Sequence, residues 1–202
     1  MHRQNIIFGS FLVIVLGAIV ATGYAKGWGP LGVVSIAISR LTAGEQMIPS
    51  GSLVEETKAP AAPEISGDFW INSEPQTLKT LQGRVVLIEF WTFGCYNCRN
   101  TVPALKKWDA RYRDQGLTII GVHTPEFDRE RNLDDLRREV AELGITYPVV
   151  SDNAFVTWKA YKVEAWPTLF ALDKHGRVRW SHVGEGAYGD TEQVIKNLLA
   201  ES

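Results

Sequence analysis

The stretch "RVVLIEFWTFGCYNCRNTVPALKKWDARYRDQG", residues 84–116, decides the fold. Its first eight residues are β-branched and aromatic around a single acid, Glu89, the pattern of a buried strand. From Asn100 the period changes. Val102, Leu105, Trp108 and Tyr112 fall 3, 3 and 4 apart, one face of a helix over 100–116 that stops at Gly116. The only two cysteines of the chain, Cys95 and Cys98, stand where strand gives way to helix. If the helix opens at Cys95, Cys98 lies one turn further along the same face, with Cβ atoms about 5–6 Å apart.

Further along the chain, strand and helix signals alternate. "LTIIGVH" (117–123) reads as a second strand, and "DRERNLDDLRREVAELG" (128–144) as an amphipathic helix with Leu133, Leu136, Val140 and Leu143 on one face. The charged residues of that helix read as a solvated outer face. "YPVVSD" is a short strand and "NAFVTWKAYKV" a short helix. "TLFALD" (168–173) and "VRWSHV" (178–183) flank the turn "KHGR" as a hairpin. "DTEQVIKNLLAE" closes as a helix capped by Asp190 or Thr191. This order predicts an α/β fold with a mixed central sheet flanked by helices on both faces.

The N-terminal side has a different character. From Gln4 to Ala25 there are 22 residues without a charged side chain. As a helix they span about 33 Å, enough for a hydrocarbon core of about 30 Å. Residues 1–26 therefore read as one transmembrane anchor. The alternative is a secretory signal, with Gly23-Tyr24-Ala25 as a small-x-small site. Either reading exports the rest of the chain. Residues 27–63 read as an extension and a flexible linker rich in proline and small residues, and 64–202 as the folded domain. A net charge of −2 and a pI near 6.1 give no mark of a nucleic-acid partner.

Three uses compete for the cysteine pair. A structural zinc site needs four ligands, and His2, His123, His175 and His182 show no paired spacing. Haem attachment needs a histidine after the second cysteine, where Arg99 stands. A purely structural disulfide across so short a loop removes little chain entropy. Redox chemistry remains. Cys95 at a helix N-terminus meets free N–H groups that stabilise a thiolate, and Cys98 one turn in is the more buried, resolving thiol. Glu89, an acid within an apolar strand, carries a desolvation cost that raises its pKa and suits it to accept the Cys98 proton. Pro167 opens a strand after Trp166, where a cis bond costs only about 0.5–1 kcal/mol and turns the chain sharply. Trp91, Trp166, Tyr96 and Asn97 flank or separate the cysteines and are candidates for substrate docking. His123 ends a strand near them and is read mainly as structural.

The motifs "WTFGCYNCRNTVP", "GVHTPEF", "VGEGAYG" and the Trp-Pro-Thr before a strand resemble the thioredoxin superfamily. Within it the resemblance is to exported TlpA/ResA-like proteins and the C-terminal thioredoxin-like domain of DipZ proteins, over residues 64 to 202. It implies a thioredoxin-like fold with an N-terminal hairpin ("DFWINSEPQTL") and a helical insertion near 128 to 144. It also implies Cys95 as attacking thiol, Cys98 as resolving thiol, Glu89 in the place of a buried acid that is commonly aspartate, and Pro167 as the cis proline. The expected function is a membrane-anchored thiol–disulfide oxidoreductase on the periplasmic side of the inner membrane. It would work without a cofactor beyond a Cys95–Cys98 disulfide. Its partners would be protein disulfides or dithiols, apocytochrome c among them, and a membrane thiol reductase as electron donor. Two alternatives stand beside it. One is a peroxiredoxin-like peroxide reductase, suggested by Thr92 three residues before Cys95. The other is a copper metallochaperone using Cys95, Cys98 and His123.

Overall fold

The computed structural model describes residues 51–67 and 69–201. The expected transmembrane segment and the first part of the extension lie outside the described residues. Among the described residues no helix is long and apolar enough to cross a membrane. The strands are β1 (Trp70–Ile71), β2 (Val85–Trp91), β3 (Leu117–His123), β4 (Val149–Ser151), β5 (Thr168–Leu172) and β6 (Val178–Val183). The helices are α1 (Tyr96–Tyr112), α2 (Leu133–Glu142), α3 (Val156–Ala160) and α4 (Tyr188–Ala200). The six strands form one sheet in the order β1-β4-β3-β2-β5-β6. The pairs β2–β3 and β3–β4 are parallel, and β1–β4, β2–β5 and β5–β6 antiparallel.

Strand β2 is central and every one of its residues is buried, which accounts for its unbroken apolar run. Alternate residues feed two cores. Val85, Leu87 and Trp91 pack with Cys98, Val102, Leu105 and Trp108 of α1, Leu136 and Val140 of α2, and Val194, Ile195 and Leu198 of α4. Val86, Ile88 and Phe90 face the other way, onto Ile65, Leu81, Tyr161 and Val163. Helices and connecting segments thus cover both faces, as the alternation of elements requires.

Three expectations need correction. The N-terminal hairpin does not form: β1 is two residues long and pairs with the distant β4 (Trp70 with Val150, Ile71 with Val149). Helix α1 begins at Tyr96 with Cys95 as its N-cap, as the reading of the cysteine pair has it, and so starts four residues before the apolar period that opens at Asn100. Pro103 lies inside it and removes the hydrogen bond that residue 103 would give to the Arg99 carbonyl. The end of the supposed flexible linker is laid along β6. Gly51 and Val54 donate backbone N–H groups to Ser181 and Arg179, and Val178 donates to Pro60. Arg179, nearly fully buried, donates to the Val54 carbonyl and reaches Glu201 at 2.7 Å and 2.9 Å, tying this strap to the C-terminus. This strap covers backbone groups that an edge strand would otherwise leave open to other chains.

The insertion is present as a single 3-10 turn, Asp128–Arg131, followed by α2. Asn132 separates the two and caps α2, its side chain accepting from the N–H groups of Asp134 and Asp135. Helix α4 begins two residues before Asp190, after Ala187 in a left-handed conformation with φ 48°. Neither expected cap residue therefore holds that place.

Candidate active site

The site lies at the C-terminal ends of the parallel strands β2 and β3, where open α/β sheets place their chemistry. Cys95 is the N-cap of α1. Its sulfur accepts the Cys98 backbone N–H at 3.2 Å, so one orphan donor of the first turn is aimed at it. Cys95 is half-buried and Cys98 is 0% exposed, and both are free thiols. Burial pushes the Cys98 thiol far above its ordinary range, and its hydrogen bond with Cys95 and the charge of Glu89 push the same way. The two sulfurs of one short motif therefore sit in opposite environments.

Glu89 is also 0% exposed. Its face of β2 is that of Val85, Leu87 and Trp91, and in register it lies beside Gly121 of β3. A Cβ on Gly121 would sit 2.9 Å from Trp91 Nε1 and 3.4 Å from Tyr147 Cε2, so the glycine leaves room for those two rings. Neither Glu89 oxygen, nor Trp91 Nε1, nor the Tyr147 hydroxyl has a protein hydrogen-bond partner. Burial pushes the Glu89 carboxyl well above the usual carboxylate range. Tyr147 is pushed up as well, by burial first and then by the charge of Glu89.

The Trp166–Pro167 peptide is cis. Strand β5 pairs with β2 through Thr168 and Phe90, which brings Pro167 beside the end of β2, next to Trp91 and the cysteine motif. The Trp166 indole donates to the Thr124 carbonyl at 3.0 Å and leans on Trp158, with ring centroids 4.3 Å apart. Tyr96 is 76% exposed and Asn97 is exposed, so both face solvent between the cysteines. Trp91 does not. It is wholly buried, edge-on to His123, because its position in β2 shares the inward face of Val85 and Leu87. Its expected part in a docking surface is therefore withdrawn.

His123 lies beneath the motif. Its Nε2 is 3.2 Å from the Thr92 hydroxyl and its ring stacks on Phe93, with centroids 5.2 Å apart and planes 13° apart. Burial pulls its pKa down to about 3, so it is neutral throughout the physiological range. The residue that sequence reasoning missed is Glu130. Its segment reads as a solvated helix face, yet Glu130 is 1% exposed. Its Oε2 accepts from the Thr92 hydroxyl at 2.7 Å and from the N–H groups of Glu126 and Phe127. A signal was available, since Glu130 falls three residues before Leu133, in phase with the apolar stripe of Leu133, Leu136 and Val140.

A cysteine pair capping the helix after a central parallel strand, faced by a cis proline, defines the class of thioredoxin-like thiol–disulfide oxidoreductases. The chain belongs to the AhpC/TSA family, whose model matches residues 59–181. It is 40% identical over 145 residues to Protein DipZ of Mycobacterium tuberculosis, spanning 70% of this chain but only 21% of that protein. It is 27% identical over 141 residues to the thiol–disulfide oxidoreductase YkuV of Bacillus subtilis, covering 69% of this chain and 95% of that one. Among solved structures it resembles a thiol–disulfide isomerase from Corynebacterium glutamicum. The TM-score there is 0.65 at 25% identity, over 72% of this chain and 99% of the other.

Proposed function

We propose that this chain exchanges disulfides with protein substrates through Cys95 and Cys98, on the extracytoplasmic side of the inner membrane to which its N-terminal segment anchors it. The observation that carries the chemistry is the asymmetry of the pair: an accessible sulfur on a helix N-terminus, and a buried one a turn later. The Cys95 thiolate attacks one sulfur of a substrate disulfide. That bond breaks, the second substrate sulfur leaves as a thiolate, and Cys95 is joined to substrate as a mixed disulfide. Cys98 then gives its proton to the Glu89 carboxylate and attacks Cys95 Sγ. The Cys95–Cys98 disulfide forms and the substrate departs with both sulfurs reduced, two electrons having moved from protein to substrate. A carboxylate whose pKa is raised by burial is the stronger base, which suits it to a thiol raised by the same cause. A membrane dithiol reductase returns the pair to the reduced state, and apocytochrome c is a fitting client for a reductant in that compartment. The membrane and compartment parts of the reading rest on the uncharged stretch Gln4–Ala25.

The peroxide reading loses its main support in the geometry. Thr92 gives its hydroxyl proton to Glu130, not to the Cys95 sulfur, which accepts the Cys98 N–H instead. The copper reading needs Cys95, Cys98 and His123 to converge. Among the described residues no group of three or more such side chains is placed to hold a metal ion.

The test is direct. The reduced protein, given insulin and separately hydrogen peroxide, should reduce insulin disulfides catalytically with dithiothreitol as electron source. It should consume peroxide no faster than a simple thiol does. Peroxide turnover without insulin reduction would make it a peroxide reductase instead.

A further inference from the structure

Three residues, Thr92, Phe93 and Gly94, connect β2 to Cys95, and each rests on one of two side chains from elsewhere. The Thr92 hydroxyl bonds Glu130 at 2.7 Å and lies 3.2 Å from His123 Nε2. Phe93 stacks on the His123 ring. Gly94 lies so close to Glu130 that a Cβ there would stand 2.0 Å from Oε1. The insertion adds a second grip on the same loop, because Arg99 bridges Glu139 of α2 (2.8 Å) to the Phe93 carbonyl (3.2 Å). Glu130 Oε1 itself has no hydrogen-bond partner, and a buried acceptor of this kind is costly to keep unless it serves the site.

The protons of this chain can be counted. A threonine hydroxyl has one proton, and here it goes to the Glu130 carboxylate. Its remaining contact with His123 must then run the other way, from an Nε2–H of the ring to the threonine oxygen. His123 is neutral, so Nδ1 is bare, in keeping with its having no partner.

Resting on the exchange chemistry above, we propose that Glu130 is a positioning residue for it. Carried by the insertion, its carboxylate clamps the Thr92–Gly94 loop that aims Cys95, and through Thr92 it selects the Nε2–H tautomer of His123. The same clamp holds Cys95 where its sulfur meets the Cys98 backbone N–H, and so favours the oxidised pair.

Glu130→Gln and Glu130→Ala in the full chain test this. Three readouts serve: 15N shifts of the His123 ring, the equilibrium of the cysteine pair with glutathione, and the rate of insulin reduction. In Glu130→Gln the amide oxygen takes the place of Oε2, which accepts three donors, so the ring should keep its tautomer. In Glu130→Ala the Thr92 proton is free to turn to His123 Nε2, and the ring should switch to the Nδ1–H tautomer. The equilibrium constant for oxidation of the pair should fall about threefold or more, and insulin reduction about tenfold in Glu130→Ala. A tautomer and a glutathione equilibrium unchanged in both variants would overturn the proposal. If Glu130→Ala does not fold, Glu130→Gln, which keeps the side-chain volume, decides alone through the glutathione equilibrium. If the wild type fails to reduce insulin, the exchange reading falls, while the tautomer and the glutathione equilibrium still judge the clamp.

Discussion

With Cys98 replaced by alanine, the protein is expected to accumulate as a one-to-one mixed disulfide with its substrates and to lose multiple turnover altogether. Cys95 still attacks, because its sulfur keeps its place as the cap of α1 and still accepts the residue 98 N–H, which belongs to the backbone. No thiol remains within reach to break the adduct. Cys98 is wholly buried in the core between β2 and α1, so the substitution also removes one sulfur atom from a packed site. That costs about 1 kcal/mol, too little to unfold a domain of this size. Cys95→Ala should give the complementary result, with no adduct and no turnover. Mass spectrometry of the intact protein after exposure to a disulfide-bonded substrate reads both outcomes. An adduct on neither variant, or one that survives Cys95→Ala, would assign the attack to a different group.

The second large effect is expected at Glu89, and it moves stability and rate in opposite directions. The folded-state pKa of Glu89 lies above its unfolded value. Its contribution to stability is therefore fully present below the ordinary glutamate value of about 4.3 and is lost as pH rises through the folded value. Glu89→Gln has no such dependence. Denaturant unfolding should show the variant gaining on the wild type as pH increases from about 5 to 9, with an advantage of about 1–3 kcal/mol at the alkaline end. Turnover should fall by about 10²-fold, the lower end of a general base's contribution. The deficit should persist to pH 9, because the Cys98 thiol is held far above its ordinary range and does not ionise there without help. A variant that is less stable than wild type across this range would mean that the carboxylate is paired rather than stranded.

Much of this arrangement is written in local sequence. Strands β3 and β6 fall where their apolar runs predict, because those runs end in turns that any register would respect. The cysteine motif and Glu89 are legible because each breaks a pattern: the only thiols in the chain at a strand–helix joint, and an acid in a buried strand. What stayed hidden depends on distant partners. Nothing in "DFWINSEPQTL" says that Trp70 and Ile71 pair with Val150 and Val149 rather than with each other's neighbours. The strap from Gly51 to Pro63 has the composition of a linker, and only the open edge of β6 orders it. The apolar period alone starts the helix at Asn100, where Pro103 suits its first turn; the cysteine pair places the start at Cys95, and only the structure shows that the helix carries Pro103 inside it. Trp91 has the place of a rim residue because it ends a strand, but the pleat turns it inward. Glu130 is lost among the charges of its own segment, although its phase with Leu136 and Val140 marks it as facing the core.

The central claim is that two thiols one helical turn apart differ in their readiness to react. Timed alkylation of the reduced, folded protein with iodoacetamide at pH 7, followed by peptide mass mapping, tests it most directly. Cys95 should be modified within minutes, while Cys98 remains unmodified until the protein is denatured. Equal labelling of the two, or no labelling of either, would contradict it.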